Sequence, residues 1–321
     1  MTTSHSQNTA TPKLAILLST YNGSRFVVEQ LDSIINQTYQ NFVIVIRDDG
    51  SSDDTVAILT NYHGRHPDKL HLVSEQVGNL GASGSFAWLV DYALRHKTVL
   101  GLESAYMMFC DQDDSWYEDK VATEMTAMLK AEQTANTDAL PSPVLIHSDL
   151  QVVNADKQVL GESLIRYQGL EITRNRFPNL VISNLITGCT ALINEPLARK
   201  ALPVPDDAIM HDWWLGLVAS AFGKVEFIDQ PLVHYRQHGN NTIGAKEQIV
   251  EEVTDLSLWR RVLTPAVNTH LFEVATQARC FKQQFGNQLS LRQRLGLTFA
   301  ACMRVRVGLL QRFFYRVARQ F

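Results

Sequence analysis

Apolar and polar positions follow two different periods along this chain. Residues 14–19 (LAILLS), 42–47 (FVIVIR), 70–74 (LHLVS) and 105–110 (AYMMFC) are short, nearly continuous apolar runs. Runs of that length without a polar face suit strands buried on both sides. Between them the period becomes helical. Val27, Leu31, Ile34 and Ile35 share one face, as do Ile58, Leu59 and Tyr62, then Phe86, Leu89, Val90 and Leu94, then Val121, Met125, Met128 and Leu129. Four successive strand–turn–helix units predict an α/β fold with a mostly parallel central sheet flanked by helices. Ligands of such sheets bind beyond the carboxyl ends of the strands. All four ends here carry polar, turn-prone segments.

Downstream the pattern is looser. Residues 133–143 predict a surface loop, and strands are expected at 143–147, 150–153, 188–193 and 225–234, with a helix around 210–221. Residues 164–187 show no clear period, and from about 246 the pattern is helical to the end. The expected organisation is a disordered polar N-terminus (1–11), an α/β domain (12–245) and a helical C-terminal extension (246–321).

With 45% hydrophobic and 19% charged residues among 321, the chain is a globular protein, not a disordered or fibrous one. Its four cysteines are scattered and form no C-x-x-C spacing, which argues against a disulfide scaffold and a cysteine zinc site. Charge is divided unevenly. Beyond Glu273 there are nine basic residues and no acid, so the net −4 splits into +9 there and −13 before it. In the last stretch Leu310, Phe313, Phe314, Val317 and Phe321 fall on one helical face, with Arg312, Arg316 and Arg319 opposite. A basic amphipathic helix of this kind fits peripheral contact with an anionic membrane surface. Two alternatives remain: the helix packs on the α/β domain, or it packs on a second copy in a homodimer. Nucleic acid is not an expected partner, because the acidic body would repel it and the apolar face would have no role. The stretch 295–310 is interrupted by Arg304 and Arg306 and is too short to span a bilayer. Residues 1–11 lack the apolar core of a secretory signal. The expected location is therefore the cytoplasm, peripheral to the inner face of the membrane.

The strongest chemical signal is Asp111-Gln112-Asp113-Asp114, directly after an apolar strand. Three carboxylates in four residues repel one another unless a cation joins them. Hard cations such as Mg2+ or Mn2+ take oxygen ligands and leave positions open for substrate phosphates. After the second strand comes Asp48-Asp49-Gly50-Ser51-Ser52, whose acids can accept hydrogen bonds from a ribose or a base. Ser51, Ser52 and Asp53 are the capping candidates for the following helix. The first strand ends in Ser19-Thr20-Tyr21-Asn22-Gly23, where Tyr21 could stack on a base. The third is followed by the glycine-rich Gly78–Gly84, including Gly81, which opens a helix whose amides could face an anion.

Together, STYNG, QTYQNFVIVIRDDGSSDDT, NLGASGSF and CDQDDSW resemble the family 2 glycosyltransferases, which have the GT-A fold, and most of all their rhamnosyltransferase-like branch. The resemblance covers roughly residues 13–240. It implies an inverting enzyme that uses a nucleotide-diphosphate sugar, with dTDP-rhamnose suggested by the branch, and a divalent metal. By the same resemblance Thr20, Tyr21, Asn22, Asp48, Asp49, Gly81 and Gln112 bind the nucleotide sugar, while Asp111, Asp113 and Asp114 hold metal and diphosphate. The general base falls at Asp212, in His211-Asp212-Trp213-Trp214, where His211 departs from the family's Glu-Asp pair. Arg236 and His238, in a segment after the last strand, are expected to contact leaving-group oxygens. The processive Q-x-x-R-W motif is missing, so the expected product carries one added sugar or few, on a glycan or lipid-linked acceptor of bacterial surface-glycan assembly. The competing classes are a non-catalytic nucleotide-sugar-binding protein and a nucleotidyltransferase. The acids argue against the first, and the lack of a basic glycine-rich loop at the first strand argues against the second.

Overall fold

The computed structural model describes residues 11–75, 77–135, 141–239 and 267–321. Strand β1 (Leu14–Thr20) lies between β2 (Phe42–Asp48) and β4 (Tyr106–Cys110), parallel to both, and β3 (Leu70–Leu72) extends the parallel set beyond β2. Register places Thr20 beside Asp48 and Leu18 beside Cys110. The polar segments after β1, β2 and β4 therefore emerge level at one edge.

Alternate residues of β1 serve opposite cores. Leu14, Ile16 and Leu18 meet α1 (Val27–Ile35), α2 (Thr55–Arg65) and α5 (Lys120–Ala135). Ala15 and Leu17 belong to the other face, with α3 (Gly81–Arg95) and α9 (His211–Phe222). Two apolar faces explain the unbroken hydrophobic runs.

Beyond β4 the sheet becomes mixed. Its order is β3-β2-β1-β4-β8-β6-β9-β5, with β7 (Val159–Gly161) paired to β6. Strand β8 (Ala191–Ile193) is antiparallel to both β4 and β6 (Val144–Asn154), whereas β9 (Lys224–Gln237) runs parallel to β6 and antiparallel to β5 (Ser115–Trp116). The two strands expected at 143–147 and 150–153 are one. The polar pair Ser148-Asp149 that divides the pattern sits where the register against β9 shifts. Of 188–193 only the last three residues are a strand, after a 3-10 turn at Gly188–Thr190. The unassigned 164–187 contains α6 (Leu164–Tyr167), a 3-10 turn (Ile172–Arg174) and α7 (Phe177–Leu180), each too short to show a period.

Three further helices follow α8 (Glu195–Ala201) and α9: α10 (His270–Phe285), α11 (Leu291–Ala301) and α12 (Gly308–Ala318). Helix α10 buries Val274, Ala278, Phe281 and Phe285 in the body, with Phe281 edge-on to Trp214 at 5.3 Å. Gln311 of α12 is buried and donates to the carbonyls of Met303 and Asn268, both at 3.0 Å. The apolar face expected on the tail is split. Phe314, Val317 and Phe321 are half-buried, and Phe321 stacks on Phe299 at 5.6 Å, whereas Leu310 and Phe313 are 47% and 55% exposed. Packing on the neighbouring helix α11, within the C-terminal extension, accounts for half of that face, and the other half is turned outward. Among the described residues no helix is long and apolar enough to cross a membrane. The expected disorder of the N-terminus, all but residue 11, and the start of the helical extension (246–266) lie outside the described residues.

Candidate active site

The level ends of β1, β2 and β4 form one side of a cleft of about 1590 Å³. On its first side the acids are held by the chain itself. Asp48 accepts the Thr20 hydroxyl and the Ser51 N–H, both at 2.8 Å. Asp49 is buried and accepts the N–H groups of Leu80 and Gly81, each at 2.8 Å, and it is paired with Arg47. Gly81 has φ +66°, a backbone that favours glycine, and this conformation aims its amide at Asp49. Gln112 donates to the Tyr21 carbonyl and accepts the Tyr21 N–H, at 2.9 and 2.8 Å, leaving the Tyr21 ring half exposed in the cleft. Asn22 accepts the Ser52 N–H at 2.8 Å and stands at φ 48°. Thr20, Tyr21, Asn22, Asp48, Asp49, Gly81 and Gln112 thus form one connected wall. Of the three capping candidates, Asp53 accepts the Thr55 N–H at the start of α2, while Ser51 and Ser52 bond to Asn22.

The second side is electrostatically different. Asp111, Asp114 and Cys189 each bring a ligand-type atom within 4.8 Å of the others. Asp114 is fully buried; one oxygen accepts the Arg236 N–H at 3.0 Å, and among the described residues the other has no hydrogen-bond partner. Burial, with Asp113 and Asp111 alongside, raises the Asp114 carboxyl well above the usual range. Burial, then the charges of Asp113 and Asp212, lift Asp111 to about 7. An orphaned buried oxygen among mutually repelling carboxylates is the environment a divalent cation relieves, and oxygen donors suit Mg2+ or Mn2+. Asp113 sits slightly apart, with its carboxylate 2.8 Å from His238 Nε2.

Asp212 opens α9 in the same cleft. Burial lifts it to about 6, against hydrogen bonds from the Trp213 and Gly188 amides and Asn184, whose Nδ2 is 3.2 Å away. Its neighbour His211 lies between Phe86 and Phe109, with centroids at 4.5 and 5.0 Å, and neither ring nitrogen has a hydrogen-bond partner among the described residues. Burial lowers His211 to about 3, so it is neutral and supplies no countercharge to Asp212. The elevated carboxyl is the form suited to moving a proton near neutral pH. Trp213 lines the cleft and Trp214 is core.

The sequence profile of Glycosyl transferase family 2 matches residues 15–198. The chain belongs to that family. Its relatives include the dTDP-rhamnosyl transferase RfbG of Shigella flexneri, 26% identical over 76% of this chain and 79% of RfbG, and an uncharacterized glycosyltransferase of Rickettsia typhi, 25% identical over 79% of this chain and 72% of that protein. Two solved structures share the architecture. Staphylococcus aureus TarS 1–349 with UDP-GlcNAc superposes with a TM-score of 0.53 at 14% identity, covering 96% of this chain and 90% of that one. The mannosyltransferase PcManGT of Pyrobaculum calidifontis, with GDP-Man and Mn2+, gives 0.51 at 16% identity, covering 97% and 87%. The protein is a glycosyltransferase of GT-A fold.

Within the glycosyltransferase, the two residues expected at the leaving group are engaged with the protein itself. Arg236 is buried: it donates to the Asp113 and Ala155 carbonyls at 2.8 and 2.6 Å and pairs with Glu29 at 2.6 Å. His238 stacks on Phe26 at 4.9 Å behind Asp113. Both contact Asp113 of the acidic motif, Arg236 at its carbonyl and His238 at its carboxylate. Sequence reasoning missed Arg47, Asn184 and Cys189. A charge inside the apolar run FVIVIR was the one available signal for Arg47. Asn184 falls in the segment with no period, and Cys189 acquires meaning only when β8 brings it beside β4.

Proposed function

We propose that this glycosyltransferase moves one sugar from a nucleotide-diphosphate donor to an acceptor hydroxyl by a single, inverting displacement that uses Mg2+ or Mn2+. The observation that carries the reading is the buried, elevated carboxyl of Asp212 facing the cleft that Asp111 and Asp113 also line, with Asp114 buried beside them. Asp212 takes the proton of the acceptor hydroxyl as it attacks the anomeric carbon, help typically worth about 10²–10⁴ in rate. A divalent ion held by Asp111 and Asp114, with Asp113 beside them, would supply Lewis-acid stabilisation of the departing diphosphate. Tyr21 lies against the base, and the wall formed by Thr20, Asn22, Asp48, Asp49, Gly81 and Gln112 positions the nucleoside. Arg236 and His238 act on the leaving group through Asp113, which they hold.

Likeness to RfbG supports dTDP-rhamnose as the donor. Outward-facing Leu310 and Phe313 beside Arg312 and Arg316 support peripheral contact with the cytoplasmic face of a bacterial inner membrane, where surface glycans are assembled on glycan or lipid-linked acceptors. Incubating the full chain with a panel of nucleotide sugars, with Mn2+ or EDTA, tests the reading. Release of nucleoside diphosphate, greatest with dTDP-rhamnose and stopped by EDTA, is expected, and the product's anomeric configuration should be opposite to the donor's. Release of pyrophosphate, or turnover unaffected by EDTA, would overturn it.

A further inference from the structure

Cys189 is a thiol at the acidic motif for which sugar transfer itself has no use. Strand β8 pairs with β4 as Leu192 with Met108 and Ile193 with Met107. Carrying that antiparallel register three residues further sets Cys189 opposite Asp111. The 3-10 turn Gly188–Thr190 fixes this position, because the Thr190 N–H and hydroxyl both donate to the Thr187 carbonyl, at 2.9 and 2.7 Å. Cys189 is fully buried, and its sulfur lies within 4.8 Å of a carboxylate oxygen of Asp111 and one of Asp114. The donors are more than seventy residues apart in the chain, so no C-x-x-C spacing announces them. The other nearby thiol is engaged elsewhere: Cys110 accepts from Gln30 Nε2 at 2.7 Å.

A buried cysteine by itself is a small apolar side chain. Asp114 makes this one different. It too is fully buried, and one of its oxygens has no hydrogen-bond partner among the described residues. Asp111 on one flank and Thr187 and Gly188 on the other line the cleft, so a cation reaches the set from there. A tetrahedral Zn2+ with oxygens at about 2.0 Å and sulfur at about 2.3 Å sets its ligand atoms roughly 3.3–3.5 Å apart. Side-chain movements of at most about 1.5 Å therefore close the three donors around an ion. We propose that Cys189, with Asp111 and Asp114, forms a mixed sulfur–oxygen site for a thiophilic divalent cation such as Zn2+ or Co2+, which excludes Mg2+ and Mn2+ from the two carboxylates.

This proposal rests on the reading of Asp111 and Asp114 as cation ligands. Thiolate is a soft ligand that selects Zn2+ over Mg2+, whereas carboxylates alone suit the hard ions. As the metal–sulfur bond forms, the thiol proton passes to solvent. A tetrahedral ion with three protein ligands keeps one open position, while an octahedral ion held by two carboxylates keeps about four for water and phosphate oxygens. Zn2+ in this site is therefore an inhibitor of transfer, and Cys189 sets which cations the enzyme tolerates.

The test titrates the full-length protein with Co2+ alone, in thiol-free buffer, and reads the near-ultraviolet absorption of sulfur-to-cobalt charge transfer. The parent should show the band, and Cys189→Ser should lose it. Cys302→Ser, which removes a half-buried thiol of the C-terminal extension, should keep it. Zn2+ should displace Mn2+ from the parent, read by electron paramagnetic resonance of free Mn2+. In Cys189→Ser that displacement should need about 100-fold more Zn2+, the upper end of what losing a residue that merely supports a ligand costs. The variant's own Mn2+ affinity should stay within about threefold, because hard cations gain little from sulfur. No band in the parent would overturn the proposal, whatever the variants do. So would a band that survives Cys189→Ser or vanishes in Cys302→Ser, since the sulfur would then lie elsewhere. Equal loss of Co2+ and Mn2+ in Cys189→Ser would make the thiol a packing residue and would overturn it too. Failure of the transfer reading would show differently, as absent nucleoside diphosphate release by a parent protein that still gives the cobalt band.

Discussion

The two sides of the cleft use the same residue type in opposite ways. On the side built from the ends of β1 and β2, Asp48, Asp49 and Asp53 accept hydrogen bonds from nearby backbone amides, so their charges are satisfied before any ligand arrives. On the side built from the 111–114 turn and α9, Asp111, Asp114 and Asp212 are crowded and desolvated, one Asp114 oxygen has no partner among the described residues, and burial raises all three. A carboxylate satisfied by its own fold builds shape. One left unsatisfied stores an interaction for a substrate, a proton or a cation.

The largest expected effect comes from the unsatisfied side. Asp212→Asn keeps the shape of the side chain and removes the proton acceptor, so transfer should fall by about 10²–10⁴ while calorimetry shows unchanged donor affinity. Collapse of donor affinity would make Asp212 a binding residue and erase the contrast.

Next is the converse on the satisfied side. Asp49→Ala removes the acceptor of two amides and leaves the buried Arg47 without its carboxylate partner, so the protein should lose about 3–5 kcal/mol of stability in a denaturant titration. Asp114→Asn, by contrast, relieves repulsion and should leave the metal-free protein at least as stable as the parent. Equal destabilisation by both changes would break the comparison.

A smaller effect appears in the pH dependence. Burial lifts the Asp212 carboxyl from its ordinary 3.8 to about 6, so the folded state binds the proton more tightly than the unfolded chain. The stability this contributes is complete below about pH 4 and is lost as pH rises through about 6. His147 and His211, lowered by burial to about 4 and 3, work in the opposite direction across much of that window. The difference between Asp212→Asn and the parent isolates Asp212. The variant should gain relative stability between pH 4 and 7, on the order of 2–3 kcal/mol. Melting curves in EDTA with a pH-independent difference would contradict the elevated carboxyl.

Much of this division was legible in residues, and its cause was not. Strand ends were visible because strands covered on both faces lose their polar alternation, and the acidic motif stood out because it follows such a run. Which acids are satisfied depends on partners far away in the chain: Leu80 and Gly81 meet Asp49 across more than thirty residues. Asn184 was hidden because α6 and α7 are single turns without periodicity. The resemblance assigned Arg236 to the leaving group; its pairing with Glu29 and its bond to the Asp113 carbonyl join residues too far apart in the chain to be read from it. The tail's amphipathic pattern was visible, yet the pattern alone could not divide that face between the Phe299 contact and the outside.

The most direct test of the contrast is Mn2+ binding in the presence of dTDP, measured by electron paramagnetic resonance of free Mn2+ for the parent, Asp114→Asn and Asp53→Asn. The parent and Asp53→Asn should bind alike, and Asp114→Asn should bind more than about tenfold more weakly, the loss of a charged oxygen ligand. Undiminished binding by Asp114→Asn, or loss of binding in Asp53→Asn instead, would contradict the assignment of the unsatisfied acids as the centre of the chemistry.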